Sequence, residues 1–163
     1  RELSDDSAVP RSPGMKYRHY APEAKIWIAA GADPIERAEA ISKFLCDLDQ
    51  TSRADLHIGL FANAYTRELI AYPGKEFKKF TQTAASHDSY GSKWLTKDLV
   101  CIDYADKPDA LLAAGKLFSA LRRFDQIGAD LIIAEALPLE GMGNAYMNRL
   151  NKAAGGGKPA GGR

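Results

Sequence analysis

The chain has 163 residues, the size of one domain, and a chain of this length can bury about 70% of the surface it exposes unfolded. Hydrophobic residues make up 45% and charged residues 26%, ordinary globular usage that excludes wholesale disorder or a fibre. Lysine and arginine number 22 against 21 aspartates and glutamates, and a balance of +1 argues against a dedicated nucleic-acid binder, which is usually strongly basic. No apolar run reaches the ~18 residues of a transmembrane helix, and the polar, acidic N-terminus is unlike a signal peptide. The histidines His19, His57 and His87 and the cysteines Cys46 and Cys101 show no metal-ligand spacing. Both cysteines lie in apolar stretches and are expected as buried thiols, in a reducing compartment such as the cytoplasm. The first residue is Arg1, which points to a fragment of a longer polypeptide or to trimming.

Composition divides the chain in three. Residues 1–23 carry Pro10, Pro13, Gly14 and Pro22 with few aliphatic side chains, and read as an extended arm, because proline and the residue before it resist helix. Residues 24–154 alternate strand-like and helix-like patterns. Residues 155–163 hold five glycines and one proline, too little apolar surface to order, and read as a disordered tail.

The middle region starts with an apolar run, Lys25–Ala30, expected as a buried strand. Asp33-Pro34 then supplies an N-cap and a proline at the first helical position. Ile35, Ala38, Ile41, Leu45 and Leu48 form one stripe, predicting a helix to about Asp49. Leu56–Phe61 is the next strand. Ala62–Asp98 starts as a helix over Tyr65–Ala71 and continues as a long loop. Leu99–Tyr104 is a strand, and Pro108 opens a helix whose apolar face holds Leu111, Ala114, Leu117, Phe118, Leu121 and Phe124 until Gly128 stops it. Asp130–Ala136 is almost continuously apolar, as a strand covered on both faces must be. A last helix from about Asn144 buries Met147, Leu150 and Ala154. Strands alternating with helices imply right-handed crossovers, hence an α/β, Rossmann-like three-layer sandwich with a mostly parallel sheet.

Candidates for chemistry are few. Gly141-Met142-Gly143 follows a strand and opens a helix, as a dinucleotide loop does, but Tyr146 occupies the third glycine position and no strand follows to carry a ribose-binding acid. A plain helix start is the favoured reading, with anion binding by its amides the alternative. Lys75, Phe77, Lys78, Lys79 and Phe80, with Lys93 and Trp94, mix cations and rings as single-strand binders do, yet Glu76 and Asp88 dilute them, and a solvated loop is favoured. Arg122, Arg123 and Asp125 read as surface charges on the polar face of their helix, and His57 as a structural histidine. No Ser/His/Asp or Cys/His arrangement and no phosphate loop can be assembled.

The arm differs. Ser12–Pro22 packs Lys16, Arg18 and His19 around Tyr17 and Tyr20 between prolines, which a plain linker does not need. Cations and hydroxyl-bearing rings on a stiff segment can reach phosphates and stack on a base; a strap packed on its own domain is the alternative. SPGMKYRHYAP (residues 12–22) resembles the interdomain linker of the long, two-domain form of L-threonylcarbamoyladenylate synthase. LFSALRRFDQIGADLIIAE (Leu117–Glu135) and GMGNAYMNRLNKAA (Gly141–Ala154) resemble that family's C-terminal domain, whose pattern is LF-x-x-LR-x-x-D followed by G-x-G-x-A-x-x-NRL-x-KAA. Ala62–Asp98 matches little of it.

The resemblance implies a nucleotidyltransferase that condenses ATP, taken with Mg, L-threonine and bicarbonate into threonylcarbamoyl-AMP and pyrophosphate. It also implies that catalysis belongs to an N-terminal YrdC-type domain of the same parent chain, absent here, and that the product passes to a tRNA threonylcarbamoyl transferase complex. This chain would supply the linker as an active-site lid and an accessory, regulatory domain, with no cofactor or metal of its own and no membrane or strong tRNA contact. Carried over by position, Lys16, Arg18, His19 and Tyr20 are the ATP-proximal residues, and Gly141, Gly143, Asn148 and Arg149 the accessory-domain motif, the last two expected to bond the preceding loop. A stand-alone nucleotide- or RNA-binding module without catalysis is the other reading.

Overall fold

A computed structural model describes residues 21–51, 56–72, 77–79 and 99–155. Strand β1 (Lys25–Ala29) leads to helix α1 (Pro34–Thr51), then β2 (Ile58–Ala62), α2 (Ala64–Leu69), β3 (Phe77–Lys79), β4 (Leu99–Asp103), α3 (Ala110–Gln126), β5 (Leu131–Glu135) and α4 (Met142–Ala153). The strands form one sheet in the order β1-β5-β2-β4-β3, and every pairing is parallel. The chain is therefore an α/β sandwich of the Rossmann-like kind.

Its winding follows from handedness. From β1 to β3 the chain steps in one direction across the sheet, and α1 and α2 pack on one face with Ile41, Leu45, Leu60 and Cys101. From β3 to β5 it steps back, and α3 and α4 cover the other face with Leu117, Phe124, Tyr146 and Leu150. Right-handed crossovers require that change of face when the direction reverses. All five residues of β2 are buried, as are four of five in β4 and in β5, which explains their unbroken apolar sequences. Alternate residues serve opposite faces: Ile132 and Ala134 join the α3–α4 layer and Ile133 the α1–α2 layer.

Helix starts match their caps. The Asp33 side chain accepts from Glu36 N at 2.9 Å, and Glu36 Oε1 accepts from Ala32 N at 2.9 Å, so orphan amides are satisfied at the entry to α1. At the other end of α3, Gly128 has φ of 87° and Ala129 N donates to Phe124 O at 2.9 Å, closing the last turn.

Several expectations need correction. Cys46 is exposed and Cys101 alone is buried, because Cys46 sits one residue, about 100° of helix, beyond Leu45 in the stripe. Ile35 and Leu111 are exposed, each lying two residues, about 200° of helix, from a buried residue of the same first turn, Arg37 and Ala113. Helix α3 begins at Ala110 with Asp109 as N-cap, rather than at Pro108. Helix α4 starts at Met142 and buries Ala153 rather than Ala154. A short parallel strand, Phe77–Lys79, lies where a loop was expected.

Candidate functional site

In an open parallel sheet, every strand ends at the same edge and every following helix starts there, so loops and helix N-termini converge on it. Here that carboxyl edge is organised by Glu135, the last residue of β5. β5 lies between β1 and β2, and its final side chain meets the turns leaving both.

Glu135 is completely buried. Its carboxylate accepts from Arg37 Nε at 2.7 Å, Thr66 Oγ1 at 2.7 Å, Tyr104 OH at 2.9 Å, Asn63 N at 3.0 Å and Asn63 Nδ2 at 2.8 and 3.0 Å. A carboxylate offers about four acceptor positions, so these donors saturate it. The partners come from α1, the β2–α2 junction, α2 and the residue after β4. Asn63 also caps α2 by accepting from Thr66 N at 2.9 Å, and Arg37 Nη1 donates to Gly31 O at 3.1 Å. Tyr146 of α4 donates to the Glu135 carbonyl at 2.6 Å. Glu135 thus ties α1 and α2 to the sheet edge through its carboxylate and α4 through its backbone carbonyl. Burying a charge costs several kcal/mol unless paired and hydrogen-bonded, and here it is both.

The chemistry of this cluster is that of a fastener. A base or nucleophile needs a lone pair facing substrate, and every position on Glu135 is taken. Burial first, then the neighbouring Glu135 charge, raises the Tyr104 hydroxyl far above its ordinary range; burial does the same to Tyr146, helped by the nearby Tyr104 hydroxyl and the Glu135 charge. Both are neutral donors at any physiological pH. The linkage sign follows. Below pH 10.0, the ordinary tyrosine value, both hydroxyls are protonated folded and unfolded, and their contribution is complete. Above it, the unfolded chain gains by ionising while the folded chain holds its protons, so stability falls by up to ~1.4 kcal/mol per pH unit for each tyrosine. Melting curves from pH 8 to 11 should therefore drop from about pH 10, and Tyr146→Phe should start lower but fall less steeply. A parallel decline in the variant would contradict this.

A second pair flanks the edge. Arg67 of α2 meets Asp103, the last residue of β4, with two bonds of 2.9 Å, and that contact raises the guanidinium above its ordinary value. Lys116 donates to Tyr104 O at 2.9 Å. Among the described residues, no group of three or more His, Cys, Asp or Glu is placed to hold a metal ion, and no helix is long and apolar enough to cross a membrane.

The residues expected to act are placed as follows. Lys16, Arg18, His19 and Tyr20 lie outside the described residues, as do the side chains of the Lys75–Phe80 group, Lys93 and Trp94. Gly141 is the N-cap of α4 with φ of 55°, a left-handed conformation that favours glycine. Gly143 is there for space: a Cβ would lie 1.8 Å from Pro138 O. Gly143 N donates to Glu140 O at 2.9 Å and Asn144 N to Gly141 O at 3.1 Å, so these amides close the turn themselves. Asn148 is exposed, and Arg149 Nη1 reaches Ala114 O of α3 at 3.2 Å rather than the preceding loop. His57 directly precedes β2; its N donates to Asp130 Oδ2 at 2.9 Å and its ring lies 3.4 Å from Gly128 O, joining strand starts at the opposite edge. Asp125 accepts from Glu23 N at 3.1 Å, and Arg123 donates to Gln126 at 2.8 Å. The Glu135 cluster is the feature that sequence reasoning did not find.

The fold and the Glu135 cluster define a parallel α/β domain whose strand ends and helix starts are joined at one edge. Residues 1–155 match the family described as "Threonylcarbamoyl-AMP synthase, C-terminal domain", and the chain belongs to that family. The threonylcarbamoyl-AMP synthase of Bacillus subtilis is 34% identical over 154 residues, covering 94% of this chain and 35% of that protein. That of Pyrococcus abyssi is 30% identical over 149 residues, covering 89% and 32%. The crystal structure of P. abyssi Sua5 complexed with L-threonine superposes with a TM-score of 0.51 at 26% identity, over 94% of this chain and 34% of that one. The chain spans about a third of the length of the curated relatives it matches.

Proposed function

We propose that this chain is the C-terminal accessory part of a threonylcarbamoyl-AMP synthase, regulatory rather than catalytic. The observation that carries this is the lopsided match: nearly all of this chain aligns, against about a third of each relative. The chemistry then falls to the preceding YrdC-type domain, which takes ATP with Mg, L-threonine and bicarbonate to threonylcarbamoyl-AMP and pyrophosphate. The saturated Glu135 cluster supports the division, since it leaves that carboxylate no lone pair for substrate. L-Threonine as a substrate is supported by the ligand named for the P. abyssi structure. The product would go to a tRNA threonylcarbamoyl transferase complex in the cytoplasm. With a net charge of +1, strong direct tRNA binding by this chain is not part of the reading.

Within it, Ser12–Pro22 is the lid over the catalytic mouth. Pro13 and Pro22 limit the freedom lost on docking, and an extended backbone sends Lys16, Arg18 and Tyr20 to one side and Tyr17 and His19 to the other. One side can meet phosphates while the other packs on protein, and closure keeps water from a labile mixed anhydride. In the longer polypeptide, Tyr20→Ala or Arg18→Ala should cut turnover roughly tenfold or more with little change in melting temperature. Full activity in both variants, or melting well below the parent, makes the arm a structural strap and ends the lid reading.

A further inference from the structure

Single exposed hydrophobics are ordinary on protein surfaces, but their distribution here is not scattered. The large apolar side chains exposed among the described residues are Leu69 and six others: Ile35, Tyr65, Leu111, Leu112, Leu139 and Met142. Those six all fall in the first turn of a helix or in the β5–α4 loop. Because the sheet is wholly parallel, those positions share one edge, the carboxyl edge above Glu135. Leu111, Leu112, Leu139 and Met142 stand on the α3–α4 side, and Ile35 and Tyr65 on the α1–α2 side. Leu139 at 71% and Leu111 at 63% are the most exposed of them.

Folding gains nothing from leaving apolar residues at the starts of four helices. The Glu135 cluster ties α1, α2 and α4 to this edge and Asp109 caps the start of α3, and an anchored face loses less entropy on docking. The same edge exposes Asp33, Glu36, Asp106, Asp109 and Glu140 against Lys107. Two copies meeting edge to edge would set these carboxylates against each other, which disfavours a symmetric dimer. A partner with an apolar centre and cations around it fits.

We propose that the carboxyl edge of this sheet is the docking face for the upstream part of the same polypeptide, met through an apolar surface ringed by lysine or arginine. The occupant is set by length: the Bacillus subtilis relative keeps roughly two thirds of itself outside the match, and this chain matches the C-terminal domain. The inference rests on the proposed function, and its test separates the two.

Hydrogen exchange is compared between the 163-residue chain and the polypeptide extended through the upstream domain. Amides of residues 106–112 and 139–142 should exchange roughly tenfold or more slowly in the longer protein. The double variant Leu111→Lys, Leu139→Lys should abolish that protection while shifting the melting temperature of the 163-residue chain by less than about 2 °C. Unchanged exchange at the edge, or protection confined to other surfaces, overturns the proposal. So does self-association of the short chain in sedimentation that the same double variant removes, which assigns the edge to a second copy. Pyrophosphate release from ATP and L-threonine by the longer protein reports on the functional reading separately. A longer protein that is active without edge protection refutes only the docking face, and one that is protected but inactive refutes only the synthase reading.

Discussion

Replacing Glu135 by alanine should lower the melting temperature of this chain by roughly 6–20 °C. Removing one partner of a buried ion pair costs about 3–5 kcal/mol, and a protein of this size loses about 2–4 °C per kcal/mol. The cost is concentrated here because Arg37, only 1% exposed, would be left with an uncompensated charge, and Asn63, Thr66 and Tyr104 would lose their common acceptor. Arg37→Met should cost a similar amount from the other side. The two should be strongly non-additive, since each removes the same interaction. Thermal unfolding followed by circular dichroism measures all three variants. A shift below about 3 °C for Glu135→Ala would mean that the edge is held by packing alone.

Gly143→Ala should destabilise by about 1–3 kcal/mol, the usual cost of overpacking, or more. The added methyl would meet a backbone carbonyl 1.8 Å away, and a carbonyl in the turn before α4 cannot swing aside as a side chain can. Gly115→Ala is the matched control. That glycine is exposed within α3 with nothing within 4 Å of its added methyl, so alanine there should stabilise by about 0.5–1 kcal/mol through helix propensity. Opposite signs in urea unfolding support close approach as the reason for Gly143. Equal, small effects would show that the α4 start moves freely.

The layers and the parallel sheet were legible because they depend on periodicity: Leu131–Ala134 is apolar throughout, and α3 carries its stripe from Ala114 to Phe124. The exceptions are residues at element ends. Ile35 and Leu111 satisfy the helical period, yet the buried positions of those first turns are Arg37 and Ala113, on the opposite side of each helix. The short strand Phe77–Lys79 carries no pattern of its own and is defined by pairing with β4. At the site, the motif Gly141–Gly143 was visible as a helix start, but that Gly143 answers to Pro138 requires the folded turn. The Glu135 cluster left a signal of a different kind. A carboxylate closes an otherwise apolar strand, and Arg37 lies four residues before Ile41 on the stripe of α1. Two opposite charges in two buried faces demand each other as partners, whereas Asn63, Thr66 and Tyr104 join them only through the crossing of the sheet.

The division of labour between this chain and the upstream domain is tested most directly by pyrophosphate release. The 163-residue chain and the polypeptide extended upstream are each incubated with ATP, Mg, L-threonine and bicarbonate. The account predicts threonine-dependent release from the longer polypeptide and none above buffer from this chain; release from this chain alone would contradict it.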